Sequence, residues 1–139
     1  MAATVTNVGT NTSTSSSSTL TLGSVTASVG DWLVVMVAAN NAGAGGATAA
    51  TQSASDGAGN TYTLRGNVII RDPGSANDGC EFARFTCEVT SALSGGTITV
   101  NFSPNVTSKA ILAYRVQPGA GETISFFSAG NGSTGSSTT

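Results

Sequence analysis

The chain of 139 residues has no His, two Cys, a formal net charge of −2 and only 9% charged side chains. Acid–base catalysis, nucleophilic catalysis and zinc binding all need side chains that this composition nearly lacks, so we expect a non-enzymatic protein without a metal or cofactor. The scattered Lys and Arg residues exclude a basic surface for nucleic acid, and the longest apolar run, 32–39, is far shorter than the ~20 residues of a membrane-spanning helix.

The first 18 residues are rich in Ser and Thr and lack the basic and apolar regions of a secretory signal, so we expect synthesis in the cytoplasm. A short strand is expected at about 3–8. The polar tract that follows cannot bury enough apolar area to offset the entropy of ordering. We therefore predict an extended N-terminal arm, 1–18, that reaches neighbouring subunits.

The next predicted strands are 19–22 and 32–39. The second is apolar at every position, so we expect both of its faces to be covered and Trp32 to lie in the core. A helix is the alternative, but the β-branched residues, the short length and the absence of caps favour a strand. The low-complexity residues that follow, 40–55, are predicted to form a surface loop.

Alternating apolar and polar residues predict two hairpins farther along the chain. The first reverses near Gly66 and joins 61–64 to 68–70. The second joins 83–89 to 98–102 through a short polar link that contains a Gly pair. Each run presents one apolar face, as a strand with one solvated side does.

The loop before the second hairpin contains Asp72, Asp78 and Glu81. Oxygen-rich loops of this kind bind hard cations, but the spacing is not that of an EF-hand. The turn chemistry of Asp-Pro-Gly and Asn-Asp-Gly accounts for the same residues. We therefore predict no metal site there.

The two cysteines, Cys80 and Cys87, are separated by an odd number of positions. On one strand they point to opposite faces, so they cannot form a disulfide with each other. We expect Cys87 to be buried beside Phe85 and Val89, and Cys80 to lie at the start of the strand.

The C-terminal part begins with a second doubly apolar run, 110–116, which is expected beside 32–39 in the centre of a sheet. A last strand is predicted at 123–127, in which Phe126 and Phe127 point to opposite sides. The final residues, 129–139, form a predicted flexible tail rich in Ser, Thr and Gly.

Eight or nine short strands joined by polar turns predict an all-β protein, an antiparallel β-sandwich over 19–128. Both immunoglobulin-like and jelly-roll topologies fit this pattern. We expect the arm and the tail to supply the contacts with other subunits, and the candidate interaction residues are Ala2, Thr4, Thr6, Phe127 and Asn131.

Several blocks within residues 20–127 resemble β-sandwich modules of tailed-phage structural proteins, and they are similar to modules of some bacterial surface proteins. The blocks that share this resemblance are Gly30–Val35, Asp56–Thr63, Phe85–Thr90, Gly95–Val100 and Lys109–Tyr114. Among such phage proteins, small modules that stand alone look most like capsid decoration or cement proteins.

The resemblance implies a location on the outer capsid surface of the virion, with the major capsid protein as partner and often a trimer as the oligomeric state. A tail or fibre domain fits the same motifs. A protein of another class fits as well, namely a secreted or surface-displayed carbohydrate-binding module that uses loops such as 40–55.

Overall fold

In a computed structural model the described residues, 2–40, 50–70 and 79–126, form strands and connecting loops, with no helix among them. The eight strands are β1 (Thr4–Ser13), β2 (Ser17–Ala27), β3 (Trp32–Asn40), β4 (Thr51–Asp56), β5 (Thr63–Ile70), β6 (Cys80–Glu88), β7 (Leu93–Val106) and β8 (Lys109–Gln117). This confirms the prediction of an all-β protein.

The strands form two antiparallel sheets that pack as a sandwich, one of five strands in the order β1-β8-β3-β6-β5 and one of three in the order β2-β7-β4. Pairing is nested along the chain, because β1 pairs with β8, β2 with β7 and β3 with β6. This nesting follows the winding of a jelly roll, except that β5 pairs with β6 and not with β4. Of the two topologies that the sequence allows, the strand order is therefore closer to the jelly roll.

The core lies between the sheets and is built from alternate residues of each strand. Val35, Phe85 and Ile111 of the five-stranded sheet and Ile98 and Val100 of the other are almost completely buried. Successive strand residues point to opposite faces, so the two-residue repeat in the sequence selects the side chains that enter the core.

The two doubly apolar runs are the neighbouring strands β3 and β8 in the middle of the five-stranded sheet, as predicted. Their inner faces are buried, but their outer faces are only partly covered. The expectation that both faces are covered is therefore wrong for the described part of the chain. Trp32 belongs to the outer face and is half-buried, not part of the core.

Neither predicted hairpin forms. Strand β6 pairs with β3 and β5, whereas β7 pairs with β2 and β4, so the link between them crosses from one sheet to the other. The chain also runs straight through Gly66 as the single strand β5, with a bulge between Leu64 and Gly66. Alternation is the same for a hairpin partner and for a strand of the opposite sheet, which explains the error at β6 and β7. The error in β5 has another cause, because Gly66 follows a bulge and not a turn.

The sheets include residues that the sequence placed in loops or an arm. The strand predicted at about 3–8 is confirmed as part of β1, but β1 extends to Ser13 and so includes more of the predicted arm 1–18 in the five-stranded sheet. Thr51–Asp56, most of which was placed in the loop 40–55, is strand β4. Residues 123–126 are not a strand. The tail, 129–139, lies outside the described residues.

Candidate interaction surface

The two sheets of the sandwich present outer faces of opposite character. The outer face of the three-stranded sheet is polar, since Thr19 and Thr21 of β2 lie beside Asn101 and Thr99 of β7. Ser53 of β4 extends the same surface. Neutral polar side chains of this kind are normal on a sheet face exposed to water.

The outer face of the five-stranded sheet is instead apolar in its central strands. We call this surface the outer apolar face, and its side chains are Trp32, Val34, Met36 and Ala38 of β3, Val68 and Ile70 of β5, Phe82 of β6, and Ala110, Leu112, Tyr114 and Val116 of β8. Phe82 is 45% exposed and Ile70 is 58% exposed. A contiguous apolar surface rimmed by polar residues is typical of an interaction site.

Strand register arranges these side chains in rows across the sheet. Ala38 lies between Phe82 and Ala110, and Val68 lies on the far side of Phe82. In the next row Met36 lies between Leu112 of β8 and Arg84 of β6. The apolar surface is thus continuous across four strands.

Charged groups on this face are few. Arg84 lies in the middle of it, next to Met36, and its Nε is buried without a hydrogen-bond partner among the described residues. Glu88 stands at one end of the same strand, beside Trp32. Arg65 donates its Nε–H to the Thr86 hydroxyl at 2.8 Å, so that guanidinium is held against the sheet.

A shallow depression lies at each end of the face. One, of about 370 Å³, is lined by Ala38, Ala110 and Cys80 together with polar residues of β1 and of the β7–β8 turn. The other, of about 260 Å³, is lined by Trp32 and Glu88 and by polar residues of β5 and β6. Both are open surface features rather than enclosed cavities.

The C-terminal residues cover the second end. Phe126 stacks on Trp32, with ring centroids 5.0 Å apart and planes tilted by 52°, and the Arg65 guanidinium lies 6.0 Å from the Phe126 centroid. The chain therefore returns across the sheet after β8 and shields the Trp32 end, whereas the described residues leave Phe82, at the other end, 45% exposed.

The structure does not place the predicted interaction residues on this face. Ala2, Thr4 and Thr6 are exposed at the start of β1, where Thr4 and Thr6 pair with Gln117 and Arg115 and share their side of the sheet, the side opposite the outer apolar face. Phe127 and Asn131 lie outside the described residues. The signal that could have located the face is the apolar character of both sides of 32–39 and 110–116, since one side of a sandwich strand faces outward.

Glu81, the last residue of the candidate cation loop, has a structural role, because its carboxylate forms buried hydrogen bonds within the protein. It is almost fully buried and accepts hydrogen bonds from the backbone N–H groups of Ala50 and Thr51 at 2.7 and 2.8 Å and from Asn67 Nδ2 at 2.7 Å. Its carboxylate is thus used by protein donors. Among the described residues no three His, Cys, Asp or Glu side chains form a group that could hold a metal ion, and Asp72 and Asp78 lie outside those residues.

A second polar network ties two loops together at the other end of the sandwich. Asp56 accepts hydrogen bonds from Tyr62 Oη at 2.9 Å and from Asn60 Nδ2 at 3.0 Å. The Asn60 side-chain oxygen in turn accepts from the backbone N–H groups of Thr90 and Ser91. The network joins the β4–β5 connection to the β6–β7 link that crosses between the sheets.

The network sets the protonation of its members. Partial burial works against ionisation of Asp56, but hydrogen bonds from Asn60, Tyr62 and Ala58 outweigh it and lower the pKa of Asp56 below its ordinary value of 3.8. Burial, reinforced by the bond to Asp56, raises the pKa of the Tyr62 hydroxyl. The network therefore keeps its charge on Asp56 and a proton on Tyr62.

We expect the stability of the protein to fall when Asp56 is protonated. A lowered folded-state pKa contributes stability above the ordinary value of 3.8, and this contribution is lost as the pH falls through the folded-state pKa. Asp56→Asn should lower the free energy of unfolding at pH 7 by about 1 kcal/mol and flatten its decline below pH ~4. Urea unfolding at pH 7 and pH 3 measures both effects. The exposed Glu88→Gln is the control, and an equal flattening there would contradict the role of Asp56.

The cysteines occupy the positions that the sequence predicts. Both are free, with Cys80 exposed at the outer face and Cys87 buried in the core. Burial, together with the nearby Asp56 carboxylate, raises the pKa of the Cys87 thiol to about 12. Cys80 is consequently the accessible thiol of the two.

Comparisons of this chain with models of protein families, with curated proteins and with solved structures found no match. Within the ranges that the structure describes, no helix is long and apolar enough to cross a membrane. The chemistry of the outer apolar face is thus the strongest guide to function.

Proposed function

We propose that the protein is a non-enzymatic structural component of a virion, a capsid decoration or cement protein that binds the outer face of a phage capsid lattice and stabilises it. The observation that carries the proposal is the outer apolar face. The outer face of the three-stranded sheet is polar, as is usual for a sheet exposed to water, whereas the outer face of the five-stranded sheet is apolar. This difference is expected when the apolar face binds another protein.

The size of the face suits such an interface. Four strands spaced by about 4.8 Å and nine residues rising by about 3.3 Å each give an area near 570 Å². Stable protein–protein interfaces bury about 600–1,000 Å² per partner, so the face is close to the lower end of that range. Covering the remaining exposed half of a large apolar side chain contributes roughly 1 kcal/mol, so Phe82, Ile70 and their neighbours could supply the attachment energy.

The partner in this proposal is the major capsid protein, and the location is the outer capsid surface. The resemblance of residues 20–127 to tailed-phage modules supports this choice. Jelly rolls are also common among viral capsid domains, which supports it at the level of the fold alone.

Purified virions of the phage that encodes the chain test the proposal. We expect mass spectrometry to find the protein at a fixed stoichiometry to the major capsid protein. Recombinant protein added to particles that lack it should co-sediment and saturate at that stoichiometry, and the loaded particles should resist heating better. Absence from the virions, or binding without saturation, would refute the capsid role.

A carbohydrate-binding module is the second candidate, and one observation favours it. Trp32, whose ring also contacts Phe126, lines a depression together with Arg65, Glu88 and four Thr side chains, an aromatic and polar combination that suits sugar rings. A glycan array separates the two candidates. The structural role predicts no binding to the array, whereas the second candidate predicts saturable binding that is lost in Trp32→Ala.

A further inference from the structure

The sandwich has four edge strands, and three of them carry features that oppose pairing with another chain. β1 has a bulge between Asn7 and Gly9, and Asn11 Nδ2 bonds to the Thr21 carbonyl of β2 at 2.7 Å, which closes that corner. β2 has three register shifts and a positive φ of 61° at Ser24. β4 is only six residues long and polar. Natural sheets protect their edges in these ways.

β5 is different. It is eight residues long, and after its bulge at Leu64 and Gly66 the rest of the strand pairs regularly with β6. Val68 is 40% exposed, Ile70 is 58% exposed and Leu64, on the other side of the sheet, is 44% exposed. No described strand pairs with its second edge. An apolar edge of this kind is a template for a further strand.

We propose that β5 pairs with β5 of a second copy of this chain, antiparallel about a two-fold axis at Val68. In this register Val68 faces its own copy and Ile70 faces Gly66 of the second chain, which has no side chain to compete for space. Residues 66–70 carry no charge, so the symmetric approach brings no like charges together within the pairing.

The two-fold symmetry explains why a second copy fits this edge. The free edges of the two β5 strands present backbone N–H and C=O groups in the same alternation, so the N–H groups of each strand bond to the C=O groups of the other. Because residues with even numbers face each other, Val68 and Ile70 stay on the outer side. The two five-stranded sheets then become one sheet of ten strands, with both outer apolar faces on the same side.

The consequence is a dimer, because a two-fold strand pair closes with two chains. This differs from the trimer that the phage resemblance implies. The inference does not depend on the capsid role, since it concerns the purified protein alone. A dimer that fails to bind particles would leave it intact, and a monomer that binds them would refute it.

Disulfide trapping at the axis tests the register. In a Cys80→Ser background, Val68→Cys places two thiols on facing residues, whose Cα atoms lie ~4.5–5.5 Å apart in antiparallel pairs, within the range of a disulfide. Oxidation by copper(II) phenanthroline, two ions of which each accept one electron while the two thiol protons pass to the buffer, should convert most of the protein to a covalent dimer. Buried Cys87 stays reduced. Val5→Cys on edge strand β1, 64% exposed, is the matched control and should give little dimer.

Mass in solution supplies a second measurement. Sedimentation equilibrium of the unmodified full chain should give a mass that rises with concentration towards twice that of one chain. Val68→Lys should lower the association constant at least tenfold with an unchanged circular dichroism spectrum, whereas Val5→Lys should not change it. A monomer at all concentrations, a trimer, or equal trapping at Val5 and Val68 would overturn the proposal.

Discussion

Leu112→Glu is expected to weaken attachment to capsid particles at least 100-fold while the sandwich stays folded. Leu112 lies in the centre of the outer apolar face, paired with Met36 of β3. A carboxylate there would have to lose its water against an apolar partner surface without a compensating charge, and an unpaired buried charge costs several kcal/mol. A factor of 100 corresponds to about 2.7 kcal/mol.

Co-sedimentation isotherms with particles measure this effect. Thr99→Glu is the matched control, because Thr99 has a similar place in the centre of the three-stranded sheet but on its polar outer face. We expect it to change binding less than threefold. Leu112→Ala, which removes contact area without adding charge, should lie between the two. Equal losses in the Leu112→Glu and Thr99→Glu proteins would exclude the outer apolar face as the docking surface.

Glu81→Ala is expected to lower the free energy of unfolding by about 4 kcal/mol, a large fraction of the stability of a domain of this size. The substitution leaves the N–H groups of Ala50 and Thr51 and the Asn67 amide buried without their acceptor. Each buried donor without a partner costs about 1–3 kcal/mol. Glu81 also links β4 of one sheet to β5 and β6 of the other, so its loss loosens that end of the sandwich.

Two variants isolate the cause of this effect in guanidinium unfolding at pH 7. Glu81→Gln keeps one acceptor oxygen and should lose about half as much stability as the Ala variant. Glu88→Ala, at the exposed end of the same strand, should change stability by less than about 0.5 kcal/mol. If Glu81→Ala were as stable as Glu88→Ala, the buried hydrogen bonds would not be what joins the sheets there.

The expected results for Leu112 and Glu81 separate two tasks of the same five-stranded sheet. Its inner face and the buried polar groups at its ends hold the sandwich together, whereas the side chains of its outer face are only partly buried among the described residues. Variants of the outer face are therefore expected to change association and leave folding intact.

The strands that sequence analysis predicted best are β3, β6 and β8. In each of them apolar residues either alternate with polar ones or run continuously over five or more positions, and this pattern depends only on neighbours in the chain. The burial of Phe85 and Cys87 on one face of β6 follows from the same alternation.

The strands that were missed, such as β4, or predicted only in part, such as β1, lack such a pattern. β4 reads Thr-Gln-Ser-Ala-Ser-Asp and is held by its pairing with β7 and by Glu81, both distant in sequence. β1 is mostly Thr and Asn and is a strand because β8 supplies a full ladder of partners. Polar segments of this kind adopt strand structure through tertiary contacts that local propensity does not encode.

The sequence by itself determined that this protein is built from strands and which side chains of the central strands enter the core, since a period of two residues divides any strand into two faces. Only the tertiary structure decided which sheet each strand joins, that Trp32 faces outward, and that the outer face of the larger sheet is apolar. The reason is that these properties depend on partners far apart in the chain, and alternation is identical whichever partner a strand finds.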